Sequence, residues 1–211
     1  MKRSYIIGIA GGSGSGKTTF LNQLMSHFGP EQVALVSQDN YYKPKGLQEA
    51  DANGVLNFDL PTSIDRAHFY NDMMALASGD AIEKLEYNFN NPAKEPQHII
   101  IHPAPVIIME GLFTFWYDEI RQHLDYKVYI EADGDERLRR RIERDGKERG
   151  YGEKEVIYQW EHHVRPAEKQ FLEPFKSRCN LVVDNTHSME DGLNELVKVI
   201  TEIVEAPPQS A

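Results

Sequence analysis

Eight consecutive residues, Gly11-Gly12-Ser13-Gly14-Ser15-Gly16-Lys17-Thr18, match the pattern G-x-x-x-x-G-K-[ST] at every fixed position. The chemistry of that pattern is phosphate binding. Glycines let successive backbone N–H groups turn inward around an anion, and a helix opening at the end of the loop adds about half a positive charge. The Lys17 ammonium reaches β- and γ-phosphates, and the Thr18 hydroxyl is an oxygen ligand suited to Mg²⁺. With Thr19, these residues make a nucleotide-binding set. The plain alternative is a glycine-rich turn between a strand and a helix.

A phosphate loop implies a nucleotide but no particular reaction. The chain has no N-K-x-D guanine signature, which argues against a regulatory GTPase. In Val106-Ile107-Ile108-Met109-Glu110-Gly111, four apolar residues run into an acid and a glycine. That places Glu110 at a strand end, where it can hold Mg²⁺ directly or through water; otherwise it is only a polar strand terminus. Asp39, in Ser37-Gln38-Asp39-Asn40-Tyr41-Tyr42, follows another apolar run. A carboxylate there can orient an attacking hydroxyl and take its proton. Asp59, in Asn57-Phe58-Asp59-Leu60-Pro61, can accept hydrogen bonds from a diol. Either aspartate is equally a turn or helix cap when taken alone.

Arg137, Arg139, Arg140, Arg141, Arg144, Lys147 and Arg149 crowd one short stretch of an otherwise acidic chain. Arg137, Arg141 and Arg144 recur at helical spacing, with Arg140 beside them. Three roles fit: solvated ion pairs with Asp135, Glu136, Glu143, Asp145 and Glu148, a nucleic-acid surface, or a lid giving arginines to transferring phosphate. The phosphate loop favours the lid.

These residues need a scaffold to bring them together. The chain has 211 residues, 23 Lys and Arg against 33 Asp and Glu, and a net charge of −10. That length suits one domain over residues 1–205, with a flexible tail at 206–211. The acidity argues against non-specific nucleic-acid or membrane binding. No apolar run is long enough for a membrane span. The lone Cys179 cannot form an internal disulfide and suits a reducing, cytoplasmic setting.

Apolar runs at 5–10, 33–37, 106–109, 127–131 and 181–183 read as strands. They alternate with helical patterns at 18–28, 63–78, 114–123, 135–149, 153–171 and 189–204. Alternation of this kind predicts a mostly parallel α/β sheet with helices on both faces and ligands at the carboxyl strand ends. Segments 82–89 and 97–101 read as a hairpin or flap. Residues 41–58 have little periodicity, and a loop of that length is functional or disordered.

In order along the chain, GIAGGSGSGKTT, LVSQDNYY, NFDLP, EYNF, PVIIMEG, RLRRRIERDGKERG and YQWEHHVRPAEKQFLEPFK resemble the uridine kinase (uridine–cytidine kinase) family of P-loop small-molecule kinases. The resemblance implies a five-stranded parallel sheet, a nucleoside-side hairpin at about 80–102 and a mobile helical lid at about 135–152. It implies ATP and Mg²⁺, and a homo-oligomer, commonly a tetramer. It makes Asp39 the catalytic aspartate near Mg²⁺, with Thr18 and Glu110 as the other metal positions. Asp59 would hold the ribose hydroxyls. Arg144, Tyr42 and Gln159 would contact the nucleoside, Tyr87 and Phe89 would flank the base, and Arg141 and Arg149 would serve acceptor and phosphate. The chain departs from the family pattern at Pro92, where a base-reading histidine is usual, at Tyr151, where arginine is frequent, and at Leu60, where histidine is common.

The expected activity is phosphorylation of the 5′-hydroxyl of uridine or cytidine by ATP. Alternatives are phosphorylation of another small alcohol, as in phosphoribulokinase or pantothenate kinase relatives, and a nucleotide-gated module without an acceptor.

Overall fold

A computed structural model of the chain describes residues 3–88 and 95–206. The strands are β1 (Tyr5–Ala10), β2 (Val33–Ser37), β3 (Ile82–Leu85), β4 (His98–Ile101), β5 (Val106–Glu110), β6 (Tyr126–Glu131) and β7 (Leu181–Asp184). The helices are α1 (Lys17–Met25), α2 (Arg66–Ser78), α3 (Asp118–Arg121), α4 (Gly134–Glu148), α5 (Glu153–Gln159), α6 (Arg165–Phe171), α7 (Glu173–Lys176) and α8 (Glu190–Glu205).

Five strands pair in parallel in the order β2-β5-β1-β6-β7, and β3 pairs antiparallel with β4. The central strands are buried on both faces, which explains their unbroken apolar sequences. Strand periodicity divides them between two cores. Ile6, Ala10, Ile107 and Met109 pack toward Phe69, Met73 and Leu76 of α2. Ile7, Ile9, Val106 and Ile108 pack toward Phe20 and Leu24 of α1 and Leu196 and Ile200 of α8. The strand order reverses between β1 and β5, so the loops after these strands open onto one crevice at their carboxyl ends.

Two helical expectations change. Helix is limited to Asp118–Arg121 within 114–123. Phe113, Phe115 and Tyr117 are all buried, an alternation that a helix cannot bury on one side. The long helix expected at 153–171 is interrupted by a π-turn at Trp160–Val164, where the N–H of Arg165 reaches the carbonyl of Trp160. Pro166 has no N–H to donate and sits at this break in the α-helical ladder. The hairpin is shorter than expected: β3 ends at Leu85. Segment 41–58 is ordered by short 3-10 turns and isolated bridges, Tyr42 with Ile64 and Ala50 with Leu56. Among the described residues no helix is long and apolar enough to cross a membrane.

Candidate active site

Gly14 and Gly16 take left-handed φ values of 78° and 92°, which turn the chain from β1 around the phosphate loop and into α1. A Cβ on Gly16 would lie 2.1 Å from the amide nitrogen of Asn185, so glycine is required there for packing as well as conformation. Asn185 follows β7 and donates to the Ser15 carbonyl at 2.8 Å. Arg137 of α4 donates to the Ser13 carbonyl at 3.1 Å and is held by Glu168 of α6 through two bonds of 2.5 and 2.8 Å. Its guanidinium also lies over the Trp160 ring, 5.2 Å from the centroid. The loop is therefore clamped by segments more than a hundred residues away. Lys17 Nζ donates to the Gly11 carbonyl at 2.9 Å and lines the cavity above the loop.

That cavity measures about 510 Å³. Lys17, Thr18, Thr19, Asp39, Tyr42, Asp59, Tyr87, Glu110, Arg141, Arg144, Arg149 and Gln159 all line it, with Ser13, Gly14 and Gly16 of the loop. Gly11, Gly12 and Ser15 lie buried behind the lining. Phe89 and Pro92 lie outside the described residues, as does the tail from residue 207 onward.

Glu110 and Ser37 end the paired strands β5 and β2, and Ser37 Oγ donates to Glu110 Oε2 at 3.0 Å. Burial pushes the Glu110 carboxyl up to about 7; the Lys17 charge opposes the shift and Asp39 adds to it. Burial lowers Lys17, against the pull of the Glu110 and Asp39 carboxylates. Glu110, Asp39 and Lys17 thus share one electrostatic environment, although they come from three separate strand ends. Among the described residues no group of three or more His, Cys, Asp or Glu is placed to hold a metal. Two carboxylates and the Thr18 hydroxyl are hard oxygen donors, a set that suits Mg²⁺ shared with nucleotide phosphates and water rather than an all-protein cage.

Asp39 sits on a 3-10 turn, Gln38–Tyr41, that is anchored on three sides. Gln38 Oε1 accepts the N–H of Phe113 at 2.9 Å, and Asn40 Oδ1 accepts the N–H of Tyr87 at 3.1 Å. The Tyr41 hydroxyl donates to Asp72 Oδ2 at 2.7 Å, and the buried Lys84 ammonium of β3 lies 3.2 Å from that same oxygen. The turn carrying Asp39 is thereby tied to the hairpin that delivers Tyr87. Burial, with Asp39 and Asp59 nearby, raises the Tyr42 phenol well above its usual range and keeps it neutral.

The basic helix has two faces with different uses. Arg139 points outward and pairs with Glu136 and Glu143, while Lys147 and Glu143 form an exposed pair at the cavity's edge; both are ordinary solvated pairs. Inward, Arg141 donates to Ser13 Oγ at 2.9 Å and to Gln159 Oε1 at 3.0 Å, and lies 3.9 Å from Asp59. Sequence reasoning missed Asp145. It is fully buried and gathers Arg144 at 2.8 Å, Arg141 at 3.2 Å and Arg149 at 3.4 Å. Its carbonyl also accepts the N–H groups of Arg149 and Tyr151. Arg137 and Asn185 were missed as clamps of the loop, and His163 as a residue lining the cavity.

Residues 6–190 match the phosphoribulokinase/uridine kinase family model. The chain belongs to that family. A Staphylococcus haemolyticus protein named uridine kinase is 35% identical over 97% of this chain and 99% of its own length. A Staphylococcus aureus uridine kinase is 36% identical over the same shares. The fold resembles phosphoribulokinase from Rhodobacter spheroides, with a TM-score of 0.61, 16% identity, and coverage of 87% of this chain and 71% of that one. This family member is an ATP-dependent kinase, a transferase built on a nucleotide-binding P-loop.

Proposed function

We propose that this kinase transfers the γ-phosphoryl group of ATP to the 5′-hydroxyl of a pyrimidine nucleoside, uridine or cytidine. The observation that carries this is one shared cavity lined both by the phosphate loop and Lys17 and by Asp39, Tyr42, Asp59 and Tyr87. The relatives named uridine kinase support the same acceptor.

In this mechanism Asp39 accepts the proton of the acceptor hydroxyl as its oxygen forms a bond to the γ-phosphorus, while the bond from that phosphorus to the β–γ bridging oxygen breaks. Lys17, Arg141, Arg144 and Arg149 stabilise charge on the transferring group and the departing ADP. Asp59 and Gln159 orient the sugar, and Tyr42 and Tyr87 form its apolar walls. Thr18, Asp39 and Glu110 would hold Mg²⁺, which when bound neutralises phosphate charge. In solution the enzyme is proposed to be a homo-oligomer, following the family resemblance.

A second reading, phosphorylation of another small alcohol, is favoured by two residues. Pro92 offers neither a side-chain hydrogen bond nor an N–H where the family pattern has a histidine. Tyr151 lines the cavity where that pattern often has arginine. The deciding experiment is a panel of nucleosides, sugar phosphates and pantothenate incubated with MgATP, with mass detection of the phosphorylated product. Uridine or cytidine monophosphate as the fastest product supports the first reading. Turnover confined to a non-nucleoside alcohol replaces it with the second.

A further inference from the structure

The loop after Tyr42 closes on the helix after the basic segment through one carboxylate. Asp51 Oδ1 accepts the N–H groups of Asn53 and Val55, both at 2.9 Å, which folds the loop on itself. Asp51 Oδ2 faces away from the loop, accepts the Tyr158 hydroxyl at 2.7 Å and lies 2.8 Å from His163 Nε2. Asn53 adds a bond of 2.6 Å to the same hydroxyl. His163 is only 2% exposed, and its ring meets that of Tyr158 edge-on at 5.9 Å. Four donors, first the Tyr158 hydroxyl, then the His163 ring and the backbone N–H groups of Val55 and Asn53, hold the Asp51 carboxyl far below its usual range.

The helix geometry fits this contact. Tyr158 and His163 are five residues apart, and at 3.6 residues per turn such positions point about 140° away from each other. The π-turn at Trp160–Val164 widens the register to i→i+5 and lets both side chains reach one oxygen. Between them stands Gln159, which holds Arg141, and Arg141 in turn holds Ser13 of the phosphate loop. On the loop side, Asn57 donates to the Glu49 carbonyl at 2.7 Å, and the next residues, Phe58 and Asp59, line the cavity with Leu56.

We propose that Asp51, Tyr158 and His163 form a latch that holds loop 49–57 against α5 and the π-turn, and so positions Leu56, Phe58 and Asp59 around the acceptor. These are positioning residues, acting through the cavity wall. The catalytic effect depends on this end of the cavity being the acceptor site, as proposed above, whereas the latch itself is read in the free protein.

The test uses Tyr158→Phe, which removes the hydroxyl but keeps the ring, and Asp51→Ala, which removes the hub. Hydrogen exchange of 49–57 is measured in each protein without substrates. Kinetics follow with the acceptor that the wild type turns over fastest in the panel. Tyr158→Phe is expected to speed exchange across the loop and to raise the acceptor KM about tenfold, the scale of one hydrogen bond to a charged group. The KM for MgATP and kcat should stay within about twofold, since the phosphate loop and arginines keep their own contacts. Asp51→Ala should do the same more strongly. Unchanged exchange in both folded variants overturns the latch whatever the acceptor is. Faster exchange with an unchanged acceptor KM, or an equal rise in both KM values, overturns its role in acceptor positioning. Failure of the acceptor panel alone removes the nucleoside reading and leaves the exchange result to decide the latch.

Discussion

The two ends of the cavity are built differently. The phosphate end comes from one contiguous segment, β1, the loop and the first turn of α1, so its backbone N–H groups are set by local chain geometry. Distant residues such as Arg137 and Asn185 only brace it. The end proposed to take the acceptor is not built from one contiguous segment. Tyr42, Asp59, Tyr87 and Gln159 come from a turn, a long loop, the segment after β3 and α5; Asn40 holds the Tyr87 N–H, Gln159 holds Arg141, and Tyr42 bridges to Ile64. Arg141 belongs to both ends, touching Ser13 on one side and approaching Asp59 on the other.

The contrast can be tested in order of expected effect. Lys17→Ala should lower turnover by about 10³-fold or more, because the ammonium both binds and neutralises phosphate charge. The melting temperature should change little, since the side chain lies over a cavity and carries little packing. ADP release and a thermal melt measure both; normal turnover in the folded variant removes the loop lysine from the mechanism.

Asp39→Asn removes the proposed base at the junction of the two ends. Turnover should fall by about 10²-fold with nucleotide affinity within severalfold, as read by initial rates and calorimetric titration. If nucleotide binding collapses and the rate per bound complex stays normal, Asp39 serves the phosphate end alone.

Asp145→Asn leaves three guanidinium groups around a neutral amide in a buried position. The expected cost is about 3 kcal/mol of stability, the scale for removing one partner of a buried ion pair, with turnover lowered about tenfold or more. Denaturant unfolding and initial rates check this. A variant as stable and active as the wild type would show that the arginines are held by other contacts.

Pro92→His, at the position where the family pattern carries histidine, should have the smallest effect, read as a change in acceptor preference. An apolar pocket discriminates small groups by about 10–200-fold, whereas a paired hydrogen bond raises this much further. The ratio of kcat/KM for uridine over a purine nucleoside should rise in the variant, with the KM for MgATP unchanged. A wild-type ratio already near 10⁴ would mean that another residue reads the base.

Much of the phosphate end was legible in the amino-acid sequence. The glycine pattern, Lys17 and Glu110 lie in or beside strand-loop units, where sequence neighbours are also spatial neighbours. The five strands read as apolar runs because a parallel sheet covered on both faces needs them so. The aromatic run from Phe113 to Tyr117 misled, because Phe113, Phe115 and Tyr117 are buried at a spacing of two, with Trp116 exposed, and that is not a helical period. Asp145 was hidden for another reason. On a helix rich in both charges, a buried carboxylate shared by three arginines has the same spacing as a solvated i,i+4 pair such as Lys147 with Glu143.

Taken alone, the amino-acid sequence specifies the nucleotide loop, the alternation of strands and helices, and the residue types on which a kinase would draw. Those follow from local rules: backbone dihedrals, side-chain period and contiguous spacing. Tertiary packing decides which face of the basic helix meets the cavity, that Asp39 is tied to the hairpin, and that Asp51 closes its loop on Tyr158 and His163. Those contacts join residues up to 128 positions apart. They depend on how the elements pack, which no local period encodes.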